Sequence, residues 1–247
     1  MKIAVILPAA GLGTRMGRFS PETAGTSRKQ FMLLDGSPIL VHTVRKFAGC
    51  GRVDDIVVAV RPEDREWVAA LLEREVPGRR VRVVLGGDSR QESVQHGLEA
   101  LDADTTLVAV HDAVRPFIDE DTIHKVLDEA AATGAAIVGV VPVDTVKQVA
   151  RRQGAGARIR GTIPRDKLVL AQTPQVFRYD VLLQAFEAAR TDGFIGTDEA
   201  SLVERLEQVE VSVVLGTDRN IKITKPGDMD LARLFLEQEK AAHQEAH

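Results

Sequence analysis

Five continuous runs of apolar, mostly β-branched residues recur along the first 140 positions, and they limit the fold more than any other feature. They are "KIAVIL" from Lys2, "DDIVVAV" from Asp54, "VRVVL" from Val81, "TLVAV" from Thr106 and "AAIVGVV" from Ala135. A strand with one wet face alternates apolar and polar residues, whereas a strand buried on both faces reads as an unbroken apolar run. Helical stretches lie between the runs. "SPILVHTVRKF" offers Ser37 as a cap with Pro38 in the first turn, and "PEDREWVAALLE" opens on Pro62 and acids. "SRQESVQHGLEAL" starts at Ser89, and "DEDTIHKVLDEAAATG" closes on Gly134. Strand and helix in alternation require right-handed crossovers, and so predict an α/β fold with a mostly parallel sheet covered by helices.

The rhythm breaks after Pro142. "VDTVKQV", "ARRQGAGAR" and "IRGTI" read as two short strands around a glycine-rich turn. An isolated two-stranded ribbon is marginal in water, so this hairpin is expected to pack on something, with a partner subunit as one candidate. The chain resumes with "LVLAQTPQVF", a helix from Tyr179 to Arg190, another from Asp198 to about Glu207, the strand "VSVVL", the segment "NIKIT" and a last helix from about Asp228. The polar tail "EKAAHQEAH" is expected to fray. With no repeat or linker, residues 1–247 read as one domain carrying an arm at about 142–171.

Charge narrows the function. The formal net charge of −4 argues against a nucleic-acid or membrane-surface partner, so any anion site must be a local concentration of cations. The single cysteine, Cys50, excludes an intramolecular disulfide and a Cys-based zinc cluster, and fits a reducing cytoplasm. No apolar run approaches the ~20 residues of a membrane span, and the N-terminus enters a strand at once, without a signal peptide.

Such a concentration of cations begins in "PAAGLGTRMG", which follows the first strand. Neither the G-x-G-x-x-G fingerprint nor the P-loop fits: Met16 takes the third glycine's place, and there is no Gly-Lys-Ser/Thr. The physics behind those loops still applies. Ala9, Ala10, Gly11 and Gly13 let backbone N–H groups approach a ligand closely, and in open α/β sheets ligands bind beyond the carboxyl ends of strands. Arg15 would present a fork to phosphate oxygens and Lys29 a point charge. Taken alone, an ordinary strand-to-helix turn with a solvated arginine reads equally well.

Other strand ends add to it. "VHDAVRPF" places Asp112 and Arg115 after a buried strand, where Asp112 suits a divalent cation, a ribose hydroxyl or, as the plainer alternative, a turn cap. His111, without clustered His or Cys neighbours in sequence, reads as a structural core residue. "LGGDSRQES" brings Gly86, Gly87 and Ser93 to a helix start, and "NIKITKP" adds Lys222, whose plainer reading is a side chain snorkelling outward.

Collectively, "PAAGLGTRMG", "KQF", "GGDSRQESVQHGL", "VHDAVRPF", "PVDTVK", "AQTPQVF", "TDEASLVE" and "NIKIT", in order across positions 8–224, resemble the 2-C-methyl-D-erythritol 4-phosphate cytidylyltransferases of the nucleotidyltransferase superfamily. The resemblance implies a Rossmann-like three-layer α/β fold and a reaction of CTP with a polyol phosphate, assisted by Mg²⁺, that yields a CDP-linked alcohol and pyrophosphate. By position, Arg15 and Lys29 match residues that stabilise the transition state, while Arg165 and Lys222 match those that hold the acceptor phosphate. Ala9, Ala10, Gly11, Gly13, Gly87, Asp88 and Ser93 match the cytidine and ribose pocket. Asp112, Arg115, Thr145 and Thr173 match further acceptor or metal contacts, with Asp112 as the expected Mg²⁺ ligand. The hairpin resembles a dimerisation arm that lends Thr145 and Arg165 to a partner's site in a cytoplasmic homodimer.

Two departures stand out. The loop "RFSPETAGTSRKQF" is longer than the family's, with Arg28 where a proline is usual, so a second cation flanks Lys29 that could assist or compete. Gly227 replaces a usual acid and predicts a weaker helix start. Three rival readings differ from this pattern at named residues. A ribitol 5-phosphate cytidylyltransferase tends to show "AGG" and "GQTPQSF" where this chain has "AAG" and "AQTPQVF". A non-catalytic nucleotide-binding regulator would tolerate loss of Lys29 or Arg165, and a glycosyltransferase would want an Asp-x-Asp motif that "HDAV" lacks.

Overall fold

The computed structural model describes residues 1–11, 28–151 and 156–245. Arg15 and Gly13 lie outside these residues, as does the tip of the hairpin. The first strand, β1 (Ile3–Pro8), is an inner strand of the main sheet. A tight hairpin of β2 (Leu33–Leu34) and β3 (Ser37–Pro38) leads into α1 (Ile39–Gly49). Ser37 is therefore not a helix cap. Asp35 and Gly36, with φ of 51° and 78°, make the left-handed turn that pairs Ser37 with Leu34, and Pro38 occupies the cap position.

The α/β alternation then follows as the apolar runs predict: β4 (Asp55–Val60), α2 (Arg65–Glu75), β5 (Val81–Leu85), α3 (Arg90–Glu99), β6 (Leu107–Val110), α4 (Glu120–Thr133) and β7 (Ala135–Val140). Ser89 caps α3 in a reciprocal box with Glu92, and Gly134 ends α4 at φ 95°. The arm is the hairpin β8 (Val146–Arg151) and β9 (Ala157–Ile163), which pairs antiparallel as a separate two-stranded sheet. After it come β10 (Leu170–Arg178), α5 (Tyr179–Asp192), α6 (Glu199–Glu204), β11 (Ser212–Leu215) and α7 (Pro226–Glu245). The helix α7 runs through to Glu245, so the polar tail expected to fray is helical that far.

Seven strands form one sheet in the order β11-β7-β10-β6-β1-β4-β5. All pairs are parallel except those of β10, which runs antiparallel to both β6 and β7. Both faces are apolar, which is why the inner strand runs do not alternate; β5, by contrast, lies at the sheet edge and is only half-buried, so its run does not mark two buried faces. Ile3, Val5 and Leu7 of β1 pack under α1, α2 and α4, while Ala4 and Ile6 pack under α3, α5 and α6. A smaller cluster seats α7 against Phe117 and Ile223. The segment 220–224 is not a strand; it is pinned where the Ile223 N–H donates to the Val114 carbonyl at 3.0 Å. Among the described residues no helix is long and apolar enough to cross a membrane.

His111, directly after β6, is fully buried and edge-on to Phe47 at 4.8 Å between rings. Its Nε2 lies 3.0 Å from the Arg115 carbonyl, so that nitrogen carries the proton, and Nδ1 accepts from the Thr173 hydroxyl at 3.2 Å. Burial pulls its pKa down to about 4, so the ring is neutral near pH 7. It is the structural histidine expected.

Helix α3 lies so close to β1 that a Cβ on Gly97 would stand 2.6 Å from Cγ2 of Ile6, a side chain with no exposed area. Alanine is the better helix former by about 1 kcal/mol. Overpacking typically costs about 1–3 kcal/mol and should win here. Gly97→Ala is expected to lower the urea midpoint with an unchanged m-value; a raised midpoint would show that this contact yields freely.

Candidate functional site

Three loops at carboxyl ends of the sheet enclose one cleft. Ala9, Ala10 and Gly11 follow β1, Gly87 to Arg90 follow β5, and Asp112 to Val114 follow β6, with Lys29, Gln30, Ser93 and Lys222 completing the lining. The strand ends are drawn tightly together: the Ala9 N–H donates to the Ala59 carbonyl and the Gly86 N–H to the Val60 carbonyl, both at 2.7 Å. A Cβ on Gly86 would stand 2.6 Å from the Ala10 Cβ, and one on Gly87 would stand 2.3 Å from the Glu92 Cβ. Glycine is required there by close approach.

Ser93 is buried behind this loop. Its hydroxyl accepts from the Gly87 N–H at 3.1 Å and donates to the Ser89 carbonyl at 2.9 Å, so it shapes the wall as well as lining it. Gln30, which sequence reasoning passed over, plays the same part behind the first loop. Its side chain is buried, and Nε2 donates to the carbonyls of Ala9 (2.6 Å) and Gly11 (3.0 Å). That tie joins the glycine wall to the short turn Lys29–Phe31 and sets Lys29 at the cleft.

Arg28 is turned elsewhere. Its guanidinium forks onto both oxygens of the buried Asp64, which also accepts from the Trp67 indole N–H at 3.1 Å, and Phe31 packs edge-on to Trp67. The unusual cation beside Lys29 thus anchors the end of the long loop to the turn before α2.

Asp112 holds the cleft's charge. Lys222 Nζ lies 2.8 Å and Arg115 Nε 3.2 Å from its Oδ2, and Arg90 Nε lies 3.4 Å from Oδ1. Burial alone would raise its pKa, but the charges of Arg90, Lys222 and Arg115 outweigh that and hold the carboxyl well below the usual range. Arg90 also meets Glu199 at 2.6 Å. Glu199 is buried, with Oε2 unpartnered, and burial pushes its pKa up against the pull of Arg90. Neither Arg90 nor Glu199 was singled out from sequence. A signal existed, because a cation in the first turn of a helix opposes the helix dipole and calls for a nearby acid.

The arrangement revises several expectations. Mg²⁺ favours near-octahedral oxygen ligation, usually through one or two carboxylates, substrate phosphates and water. With three cations on its two oxygens, Asp112 does not fit a metal ligand. Arg115 is buried and does not line the cleft; its Nη1 donates to the Asn220 carbonyl at 2.7 Å, fixing the segment that carries Lys222. The Thr173 hydroxyl is likewise internal, accepting from the Asp112 N–H at 3.0 Å. Asn220, also missed from sequence, is fully buried and binds Gln172 and the Thr173 carbonyl. Thr145 and Arg165 stand exposed on the arm, outside the cleft lining, with the Arg165 guanidinium donating to the Val143 carbonyl. What one chain brings together is a glycine-walled cleft with Lys29, Lys222 and Arg90 in its lining, suited to a polyanion.

Known proteins share this architecture. A family model described as IspD, 2-C-methyl-D-erythritol 4-phosphate cytidylyltransferase, matches residues 3–238. A protein of that description from Solibacter usitatus is 70% identical over 241 residues, covering 98% of each chain. One from Acidobacterium capsulatum is 50% identical, covering 96% of this chain and 98% of the relative. Among solved structures, 4-diphosphocytidyl-2C-methyl-D-erythritol synthase from Anaerococcus prevotii superposes with a TM-score of 0.80 at 29% identity, covering 96% of this chain and 98% of that one. The enzyme from Thermus thermophilus gives 0.75 at 31% identity, with 95% and 98% covered. By sequence and fold together, the chain belongs to the 2-C-methyl-D-erythritol 4-phosphate cytidylyltransferase family.

Proposed function

We propose that this chain transfers CMP from CTP to 2-C-methyl-D-erythritol 4-phosphate, a step in isoprenoid precursor synthesis. Family membership supports the reaction, and the cation-lined cleft at the strand ends is the observation that carries it to these residues. An acceptor phosphate oxygen attacks the α-phosphorus of CTP and forms the new P–O bond. The bond from that phosphorus to the bridging β-oxygen breaks, and its electron pair leaves with pyrophosphate. Positioning two anions and neutralising the developing charge is the whole catalytic demand, so fixed cations suffice and no nucleophilic side chain is needed.

In this reading Ala9, Ala10, Gly11, Gly13, Gly87 and Asp88 receive the cytidine and ribose, with Ser93 holding the Gly87 loop. Lys29 and Arg15 stabilise the triphosphate in the transition state. Lys222, pre-oriented by Asp112, takes the acceptor phosphate with Arg165. Mg²⁺ would enter on the substrate phosphates, and no residue of this chain is assigned to it. The protein is read as a cytoplasmic homodimer in which the arm lends Thr145 and Arg165 to the partner's cleft. The arm's solvent-facing apolar residues support this: Val143 is 79% and Ile159 66% exposed in the single chain.

Lys29→Ala is expected to lower kcat/KM by about a hundredfold or more, since an electrostatic stabiliser of a transition state is worth about 3 kcal/mol. Its effect on stability should stay near ~0.5 kcal/mol, as for substitutions away from the core. Near-normal turnover would remove Lys29 from the reaction.

Mixing inactive Lys29→Ala protein with inactive Arg165→Ala protein under subunit exchange should restore partial activity, because a heterodimer regains one intact composite site. A mixture that stays inactive although heterodimers form would place both residues in one subunit's site.

With CTP and both acceptors in one tube, 2-C-methyl-D-erythritol 4-phosphate should outcompete ribitol 5-phosphate by about a hundredfold, the size expected when an extra hydroxyl finds no partner. A majority of CDP-ribitol would leave the chemistry standing and change the substrate.

A further inference from the structure

The only cysteine of the chain is at the end of α1, where its N–H donates to the Phe47 carbonyl. Its thiol is buried, yet it does not face carbon alone. Cys50 Sγ lies 3.4 Å from His124 Nε2, and the same nitrogen lies 3.7 Å from Glu120 Oε1. Glu120 and His124 stand one helical turn apart on α4, and the three ligand atoms all lie within 4.8 Å of one another. None of the three lines the cleft described above. From the geometry of this cluster we propose that Cys50, Glu120 and His124 form a binding site for Zn²⁺.

A tetrahedral Zn²⁺ with bonds of about 2.3 Å to sulfur and about 2.0–2.2 Å to nitrogen and oxygen holds its ligand atoms about 3.4–3.6 Å apart. Two of the three separations, 3.4 and 3.7 Å, match that spacing to within a few tenths of an ångström, and the third, from Cys50 Sγ to the Glu120 carboxylate, is within 4.8 Å. A thiol, an imidazole and a carboxylate are a borderline-soft set that selects Zn²⁺ over Mg²⁺ or Ca²⁺. Charge balances as well: thiolate and carboxylate together cancel the dication, and the thiol proton is released to solvent on binding. His124 binds as the neutral ring through Nε2, with its proton on Nδ1. The ion has a way in, because the side chains of Glu120 and His124 are 62% and 41% exposed while the thiol forms the floor.

The supporting backbone is fixed from outside the cluster. Arg79 donates to the carbonyls of Cys50 and Val53, and Arg52 donates to the His124 carbonyl while pairing with Asp128 at 2.7 Å. One cysteine cannot build a Cys-based site, but two ligands from α4, 70 and 74 positions away, complete a mixed one. The competing account is an ordinary Glu120–His124 ion pair beside an inert thiol.

The two accounts separate by titrating the full-length protein, freed of metal, with Co²⁺ as a spectroscopic probe. One equivalent should produce a thiolate-to-cobalt charge-transfer band and tetrahedral d–d absorption, and Zn²⁺ should abolish both by displacement. With a single cysteine in the chain, the charge-transfer band can only report Cys50. His124→Ala, a partly exposed position, should keep the metal-free melting temperature and bind Co²⁺ at least about tenfold more weakly, since loss of even an outer partner of a metal ligand costs about 10–100-fold. Cys50→Ser should erase the charge-transfer band. Absence of that band in the unmodified protein at saturating Co²⁺ would overturn the site, as would unchanged Co²⁺ affinity in His124→Ala.

Discussion

Cations from three places in the chain meet at the carboxylate of Asp112. Arg90 arrives from the first turn of α3, Lys222 from the irregular segment after β11, and Arg115 from the turn just after Asp112 itself. Removing one partner from a buried ion cluster typically costs about 3–5 kcal/mol, because the remaining charges lose their compensation. Asp112 is the one member here that touches all three cations. Without it, Arg90 would retain Glu199, whereas Lys222 would lose the contact that aims it into the cleft. The backbone N–H of Asp112 is in turn held by Thr173, whose hydroxyl also meets His111, so the core beneath sets the position of the charge above.

This organisation explains why the cleft remains cationic although it contains acids. In and around it four cations, Lys29, Arg90, Arg115 and Lys222, stand against three acids, Asp88, Asp112 and Glu199. The surplus positive charge is held by bonds that already exist in the ligand-free chain, so little reorganisation remains when phosphates arrive. Arg28 follows the same economy in reverse. By committing its guanidinium to Asp64, it leaves the adjacent Lys29 as the cation that this turn brings to the cleft.

The parallel strands were legible because burial on both faces writes itself into consecutive residues; β1, β6 and β7, and β4 after Asp55, are apolar without interruption. Ser37 misled because capping propensity is local, whereas the Asp35–Gly36 turn that overrode it depends on pairing with Leu34. The direction of β10 was not legible, since "AQTPQVF" carries no mark of parallel or antiparallel pairing. The cleft was legible as residue types at strand ends, and Lys29, Gly87, Asp112 and Lys222 do line it. What sequence could not show is which partners reach a side chain first. Asp112 looked like a metal ligand until three cations were found on its oxygens, and the Thr173 hydroxyl looked available until the Asp112 N–H and His111 took it. Gln30 and Asn220 were missed because a buried amide is recognisable only from the carbonyls it meets.

The reversed strand has a topological consequence of its own. Because β10 runs against β7, the arm leaves the sheet at Val140 and re-enters at Leu170, and those two residues are paired neighbours. The excursion between them begins and ends on one rung of the ladder, so the strand order is the same whatever its length. Lengthening such an excursion carries only a logarithmic entropy cost, about 0.6 kcal/mol per doubling. The hairpin is therefore an appendage that can be remodelled, shortened or re-sequenced while the seven-stranded frame beneath it keeps its register.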